Sequence, residues 1–141
     1  MDDSRIEAPN RSDVRTWALS YVIDRNGNYV RYRYIENNEE GEFVPSHIEY
    51  TGSIGAQPAE PRSSVAFEYE DGPRRLVRYQ GGARISTLLR LKALKTYADT
   101  TGSDLVREYR FDYELSPHSG QSVLTQITEC DNEGNCLPAT E

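Results

Sequence analysis

Hydrophobic and polar residues alternate along much of the chain, most regularly in the segment DLVREYRFDYELS at residues 104–116. Successive side chains of a β-strand point to opposite faces, so this pattern predicts a strand with one buried face. The same alternation predicts further strands at about 16–23, 29–36, 43–52, 64–70, 75–79 and 122–130. The chain is therefore predicted to be all-β, and its strands are expected to bury Trp17, Leu19, Tyr32, Phe67, Tyr109, Phe111 and Tyr113.

Turn signals between these segments predict antiparallel hairpins. The sequence DRNGN at Asp24–Asn28 supplies the Asp, Asn and Gly residues that a tight reversal needs, so strands 16–23 and 29–36 should pair. The same D-x-x-G-N pattern returns at Asp131–Asn135 and marks a second hairpin. EDGPR at 70–74 predicts a turn between two short strands, and SIGAQPAEPRSS at 53–64 predicts the longest loop.

One segment is ambiguous. ISTLLRLKALKTYA has Leu88, Leu91 and Leu94 at helical spacing, but Leu89, Leu91 and Ala93 also alternate as in a strand. The pattern alone slightly favours a helix over residues 85–97.

Composition and charge narrow the functional classes. A net charge of -7 argues against nucleic-acid binding, because proteins that bind phosphate backbones use positive surfaces. No apolar run is long enough to span a bilayer, and the N-terminal residues lack the basic start and apolar stretch of a signal peptide. The sequence predicts a flexible segment at 1–14, one domain at 15–138 and a short tail at 139–141.

Catalytic motifs are not found in the sequence, and we expect neither enzymatic activity nor a cofactor. His47 and His118 have no evident catalytic partners, and Glu68, Glu70 and Asp71 are better explained as a charged strand face than as a glycosidase pair.

The two cysteines, Cys130 and Cys136, have no further Cys or His residues around them, so no metal site is predicted. They flank the second D-x-x-G-N turn at a separation that a disulfide can bridge. In a reducing cytosol two free thiols are expected instead.

Tyr and Arg residues interleave at 29–34, which suits stacking on sugar rings as well as packing between strands. Cross-strand packing is the simpler interpretation. The alternative is a carbohydrate-binding β-sandwich, whose exposed binding face would carry Tyr29, Arg31, Arg33 and Tyr79. The same four residues are also candidates for binding a partner strand.

Seven segments taken in order carry a family resemblance: RTWALSYVIDRNGNYVRYRYIE, HIEYTG, VAFEYE, YQGG, LLRLKALKTYA, VREYRFDYELS and SVLTQITECDNEGNCLP. Over about residues 15–138 they resemble the plasmid virulence protein B (SpvB) family and the B component of bacterial insecticidal toxin complexes, of the TcdB/TcaC type. The resemblance implies an all-β segment that contributes to a hollow β-shell, which holds a toxic cargo. The predicted fold is therefore a set of antiparallel hairpins that form a sandwich or part of such a shell. The resemblance also favours a strand over a helix at 85–97.

The resemblance is confined to the scaffold region of that family. The chain lacks a full propeller, a long tyrosine-aspartate repeat array, a self-cleaving aspartyl site and an ADP-ribosyltransferase signature, so no toxic activity is implied. The predicted function is a structural β-module whose partners are other toxin-complex or Rhs-repeat components, or a second copy bound through sheet edges. Its expected location is extracellular within a secreted toxin assembly, or cytoplasmic before release.

Overall fold

The computed structural model describes residues 4–141, and within them every regular element is a β-strand. The all-β prediction is confirmed. The strands are β1 (Arg5–Glu7), β2 (Val14–Trp17), β3 (Tyr21–Ile23), β4 (Asn28–Asn37), β5 (Glu42–Ser53), β6 (Ser63–Gln80), β7 (Ala83–Tyr97), β8 (Leu105–Leu115) and β9 (Ser122–Asp131).

Seven of these strands form one antiparallel sheet in the order β3-β4-β5-β6-β7-β8-β9, and β1 and β2 form a separate two-stranded sheet. Within the large sheet, strands that are consecutive along the chain pair with each other, and β3 and β9 form the two edges. The sheet is open and does not close into a barrel. The only other sheet among residues 4–141 is the two-stranded β1–β2 sheet, so the predicted hairpins are present without a second large sheet.

The first D-x-x-G-N turn closes the predicted hairpin. Gly27 has a φ of 81°, which glycine adopts at low cost. The Asp24 carboxylate accepts hydrogen bonds from the backbone N–H groups of Asn26 and Asn28, both at 2.8 Å. The turn then leads into β4, where Val22 pairs with Val30 and Ile23 pairs with Tyr29.

The predicted strand at 16–23 is only partly correct, because the chain leaves the strand conformation between Trp17 and Tyr21. Residues 14–17 belong to β2, which pairs with β1 in the small sheet. The strand β1 lies inside the segment 1–14 that was predicted to be flexible, and residues 1–3 of that segment lie outside the described part of the chain.

The ambiguous segment 85–97 is a strand, so the helical alternative is wrong. It forms most of β7, which pairs with β6 along nearly its whole length and with β8 at residues 93–97. The turn predicted at 70–74 is also corrected. β6 continues through it, and the register shifts between Asp71 and Leu76, so residues 72–75 form a large bulge opposite Leu88.

Pairing in the middle of the sheet is incomplete. The ladder between β7 and β8 covers only residues 93–97 and 105–110, and beyond Arg110 the two strands diverge. Three side-chain hydrogen bonds cross the resulting gap between the β6–β7 and β8–β9 hairpins: Arg90 Nη1 to Ser122 Oγ at 2.8 Å, Tyr113 OH to the Leu91 carbonyl at 2.7 Å, and Arg74 Nη1 to the Ser119 carbonyl at 2.8 Å.

The small sheet packs where the ends of two hairpins meet. A Cβ on Gly41 would lie 2.5 Å from Pro9 and 3.5 Å from Ile85, so this glycine lets the three segments approach. Ile6 and Ile85 are almost fully buried. Arg15 donates a 2.7 Å hydrogen bond to the Gly41 carbonyl and fixes β2 against the β4–β5 turn.

The predicted burial of the large side chains needs correction. Trp17 is 68% exposed and Leu19 is 51% exposed, because both lie at the segment that joins the two sheets. The other residues expected in the core are only half-buried, since no second layer covers the sheet: Tyr32, Phe67, Tyr109, Phe111 and Tyr113.

Candidate functional site

The register divides much of the large sheet into two chemically different faces, because residues directly opposite each other on paired strands share a face. On one face the row Phe67, Leu94 and Tyr109 runs across three strands. The residues that share this face, here called the apolar face, include Tyr32, Ile48, Val65, Phe67, Leu94, Tyr109, Phe111 and Ile127. All of them are half-buried. The apolar face therefore crosses β4 to β9, and the described chain buries it only in part.

The opposite face, here called the charged face, carries ion pairs above small residues. Lys95 Nζ lies 2.6 Å from Glu68 and 3.7 Å from Glu108, and Glu108 also pairs with Arg110. Beneath them Ser64, Ala66, Ala93 and Cys130 are buried. The long side chains shield the small residues from water, so this face does not need a second layer to cover it.

Glu49 is the most enclosed ionisable group of the charged face. It accepts hydrogen bonds from Arg31 Nε at 2.6 Å and Arg33 Nε at 2.7 Å, and its side chain is 8% exposed. Burial raises the pKa of Glu49, but the hydrogen bonds from Arg33 and Arg31 outweigh this and the net effect lowers it. Glu49 is thus held ionised between two strands.

This pairing makes stability depend on pH. A carboxyl whose pKa is lower in the folded state stabilises the protein above its unfolded pKa and loses that contribution as the pH falls. We expect urea unfolding to show a drop in stability between about pH 5 and pH 3 that is smaller in Glu49→Gln than in the wild type. Glu114→Gln, on the exposed part of β8, is the matched control and should keep the wild-type slope. Equal slopes in all three proteins would contradict the assignment.

Of the four residues predicted for a carbohydrate site, Tyr29, Arg31 and Arg33 lie near one another on β4, and Tyr79 is remote from them. Tyr29 is 7% exposed and packs on Gly52, where a Cβ would lie 2.4 Å from its ring. Arg31 and Arg33 are engaged by Glu49. Tyr79 is 76% exposed and pairs with Arg84 near the β6–β7 turn, at the opposite end of β6 from the residues that pair with β5.

The remaining candidates for chemistry are in ion pairs or exposed. Glu70 binds Arg90, whose guanidinium also lies 4.4 Å from the centre of the Tyr113 ring. Glu68 pairs with Lys95, and Asp71 is exposed. His47 and His118 are exposed as well. Among residues 4–141 no group of three or more His, Cys, Asp or Glu residues is placed to hold a metal ion.

Cys130 and Cys136, whose separation in sequence allows a disulfide, are joined by one. Nothing in the described part of the chain forms a helix that could cross a membrane.

Two features of the site were missed by sequence reasoning. The sequence predicts the apolar face as a buried core, because alternation identifies an apolar face without showing what covers it. The burial of Tyr29 depends on Gly52, and the glycine in IEYTG was the only sequence signal that pointed to it.

No protein-family profile matches the chain, and no curated protein matches it. Solved structures of similar fold include two of TcdB2-TccC3. The TcdB2-TccC3-TEV structure aligns with a TM-score of 0.74 and 15% identity over 98% of this chain, and TcdB2-TccC3 without its hypervariable C-terminal region aligns with 0.72 and 16% over 98%. The chain spans 9% of the length of each. The fold of this chain therefore resembles a β-module of the TcdB2-TccC3 toxin complex.

Proposed function

We propose that the chain is a non-enzymatic structural β-module of a toxin-complex-type assembly, in which it forms part of a β-walled shell. The observation that carries this proposal is the uncovered apolar face. A sheet with one hydrophobic face is stable when that face is buried against another layer. Here the layer has to come from outside the described chain, which is the situation of a wall segment within a larger body.

The distribution of polarity supports the same role. The charged face is closed by its own ion pairs, whereas the apolar face extends across β4 to β9 with half-buried aromatic residues such as Phe67 and Tyr109. Large contiguous apolar patches on soluble proteins mark interaction surfaces. One side of the sheet is therefore suited to solvent and the other to a partner layer.

The fold likeness supports the choice of assembly. Nearly the whole chain aligns with part of the TcdB2-TccC3 structures, although it spans only 9% of them. By this analogy the partners are other toxin-complex or Rhs-repeat components, and the setting is a secreted assembly or the cytoplasm before its release. The relation to the plasmid virulence protein B family remains a prediction from the sequence.

The carbohydrate-binding alternative is not favoured. It required a β-sandwich and an exposed face that presents Tyr29, Arg31, Arg33 and Tyr79 together. The large sheet has only the two-stranded β1–β2 sheet beside it among the described residues, Tyr29 is buried on Gly52, and Tyr79 lies at the far end of β6.

Adjacent residues of β6 provide the test, because Phe67 lies on the apolar face and Glu68 on the charged face. We expect the isolated wild-type chain to self-associate with increasing concentration in sedimentation velocity, since its apolar face is exposed to water. Phe67→Ser should weaken this association, and Glu68→Ser should not. Circular dichroism on both variants verifies that the sheet is retained. A wild-type chain that stays monomeric at high concentration, or equal association of the two variants, would contradict the proposal.

A further inference from the structure

The two D-x-x-G-N turns have the same internal structure at opposite edges of the large sheet. In the second turn the Asp131 carboxylate accepts hydrogen bonds from the N–H groups of Glu133 and Asn135, both at 2.9 Å, as Asp24 does in the first. Asp24 N–H bonds to the Asn28 carbonyl, and Asp131 N–H to the Asn135 carbonyl, both at 2.9 Å. Gly134 has a φ of 86° beside 81° at Gly27.

The disulfide occupies an equivalent position in this repeated turn. The pair that flanks the first turn is Ile23 and Tyr29, and the pair that flanks the second is Cys130 and Cys136. The Cys130–Cys136 disulfide at the β9 edge thus occupies the position that the non-covalent pair Ile23 and Tyr29 occupies at the β3 edge.

The segments that return from the two turns differ in how well they are held. From the first turn the chain enters β4, whose ladder with β3 has three consecutive pairs, and the rings of Tyr21 and Tyr29 lie 5.9 Å apart. From the second turn the chain enters Leu137 and then Pro138, which has no N–H to donate to a ladder.

Little else holds the last residues to β9. The bonds beyond the disulfide are Leu137 N–H to the Glu129 carbonyl, and the two between Ile127 and Thr140, all at 2.9 Å. Every residue from Asp131 to Glu141 is exposed. A short exposed segment held by three backbone bonds is marginal by itself, because each such bond contributes little net stability.

We propose that the Cys130–Cys136 disulfide is a redox-sensitive clip that holds residues 136–140 against the outer edge of β9, and that its reduction releases them. Release exposes the N–H and C=O groups of Ile127 and the C=O group of Glu129. These are the edge groups to which another strand can pair. The proposal rests on the C-terminal geometry alone and is independent of the proposed function.

The reduction step uses an external dithiol. Cys136 is exposed and Cys130 is 1% exposed, so a thiolate of the dithiol attacks Cys136 Sγ and Cys130 leaves as a thiolate that takes up a proton. The second thiol of the reagent then displaces Cys136. The products are two cysteine thiols and the oxidised reagent, for a transfer of two electrons and two protons.

The test is residue-resolved amide hydrogen exchange on the full chain, oxidised and then reduced with dithiothreitol. A disulfide that closes a short loop stabilises the closed form, so its reduction makes local opening more frequent. We therefore expect amide exchange at Leu137, Thr140 and Ile127 to become at least about tenfold faster on reduction. The Asp24 amide is the internal control, because it makes the same bond in the turn without cysteines. Its exchange should not change.

Three results would overturn the proposal. The first is two free thiols in the air-oxidised chain by thiol titration. The second is unchanged protection of Leu137 and Thr140 after reduction, which would mean that the backbone bonds suffice. The third is equal acceleration at Asp24, which would show that reduction loosens the whole sheet. The double variant Cys130→Ala/Cys136→Ala should match the reduced wild type without reductant.

Discussion

Replacing Tyr29 by Ala is expected to lower the free energy of unfolding by about 3–4 kcal/mol, as truncation of a buried aromatic residue does. The ring is buried and covers Gly52 on the neighbouring strand, so its removal leaves a cavity over bare backbone. Chemical denaturation followed by circular dichroism measures the effect. Gly52→Ala should also destabilise the protein, because its Cβ would lie 2.4 Å from the Tyr29 ring.

Tyr79→Ala is the matched control for this prediction. Tyr79 is 76% exposed, so its removal should change stability by less than about 0.5 kcal/mol. Similar losses for both tyrosines would contradict the packing described for Tyr29. Retained stability in Tyr29→Ala together with lost glycan binding would return the carbohydrate hypothesis to consideration.

Replacing Glu42 by Ala is expected to lower the free energy of unfolding by about 2–4 kcal/mol, because two backbone N–H groups lose their acceptor at a buried site. Glu42 is 7% exposed, and one of its carboxylate oxygens accepts hydrogen bonds from the N–H groups of Leu88 and Leu89 at 2.9 and 3.1 Å. These two amides lie where the β6 bulge interrupts the ladder with β7. Glu42 thus connects the start of β5 to the middle of β7.

Glu42→Gln should lose less stability than Glu42→Ala, since the amide retains one oxygen to accept the same bonds. Glu39→Ala, at an exposed position of the preceding turn, should be nearly neutral. Amide exchange at Leu88 and Leu89 adds a local readout. If Glu42→Ala leaves the exchange of both amides unchanged, Glu42 does not hold the bulge.

Local features of the fold could be predicted from the sequence, and features that depend on distant residues could not. The turn at Asp24–Asn28 was predicted because its hydrogen bonds lie within the five residues themselves. The break between Trp17 and Tyr21 was missed, since the partner of β2 is β1 and not a continuation of the first hairpin. The strand at 85–97 was undecided from its pattern, because pairing with β6 and β8 determines it.

The candidate site shows the same limit. Alternation correctly placed Tyr32, Phe67, Tyr109 and Phe111 on one face, but it carries no information about a second layer. The sequence suggests that the interleaved Arg31 and Arg33 are free to bind a ligand. In the structure each of them donates a hydrogen bond to Glu49 from the next strand. The sequence thus predicted the apolar face but did not predict that it is exposed.

The order of strands in the large sheet has a consequence for how the chain reaches this structure. Since every strand from β3 to β9 pairs only with its neighbours in the chain, no pairing has to wait for a remote segment. Meanders of this kind have low contact order for a β-protein, and the entropy lost in closing each hairpin is small. During synthesis each hairpin can add to the edge left by the one before it, so the sheet can grow from β3 toward β9 as the ribosome releases it.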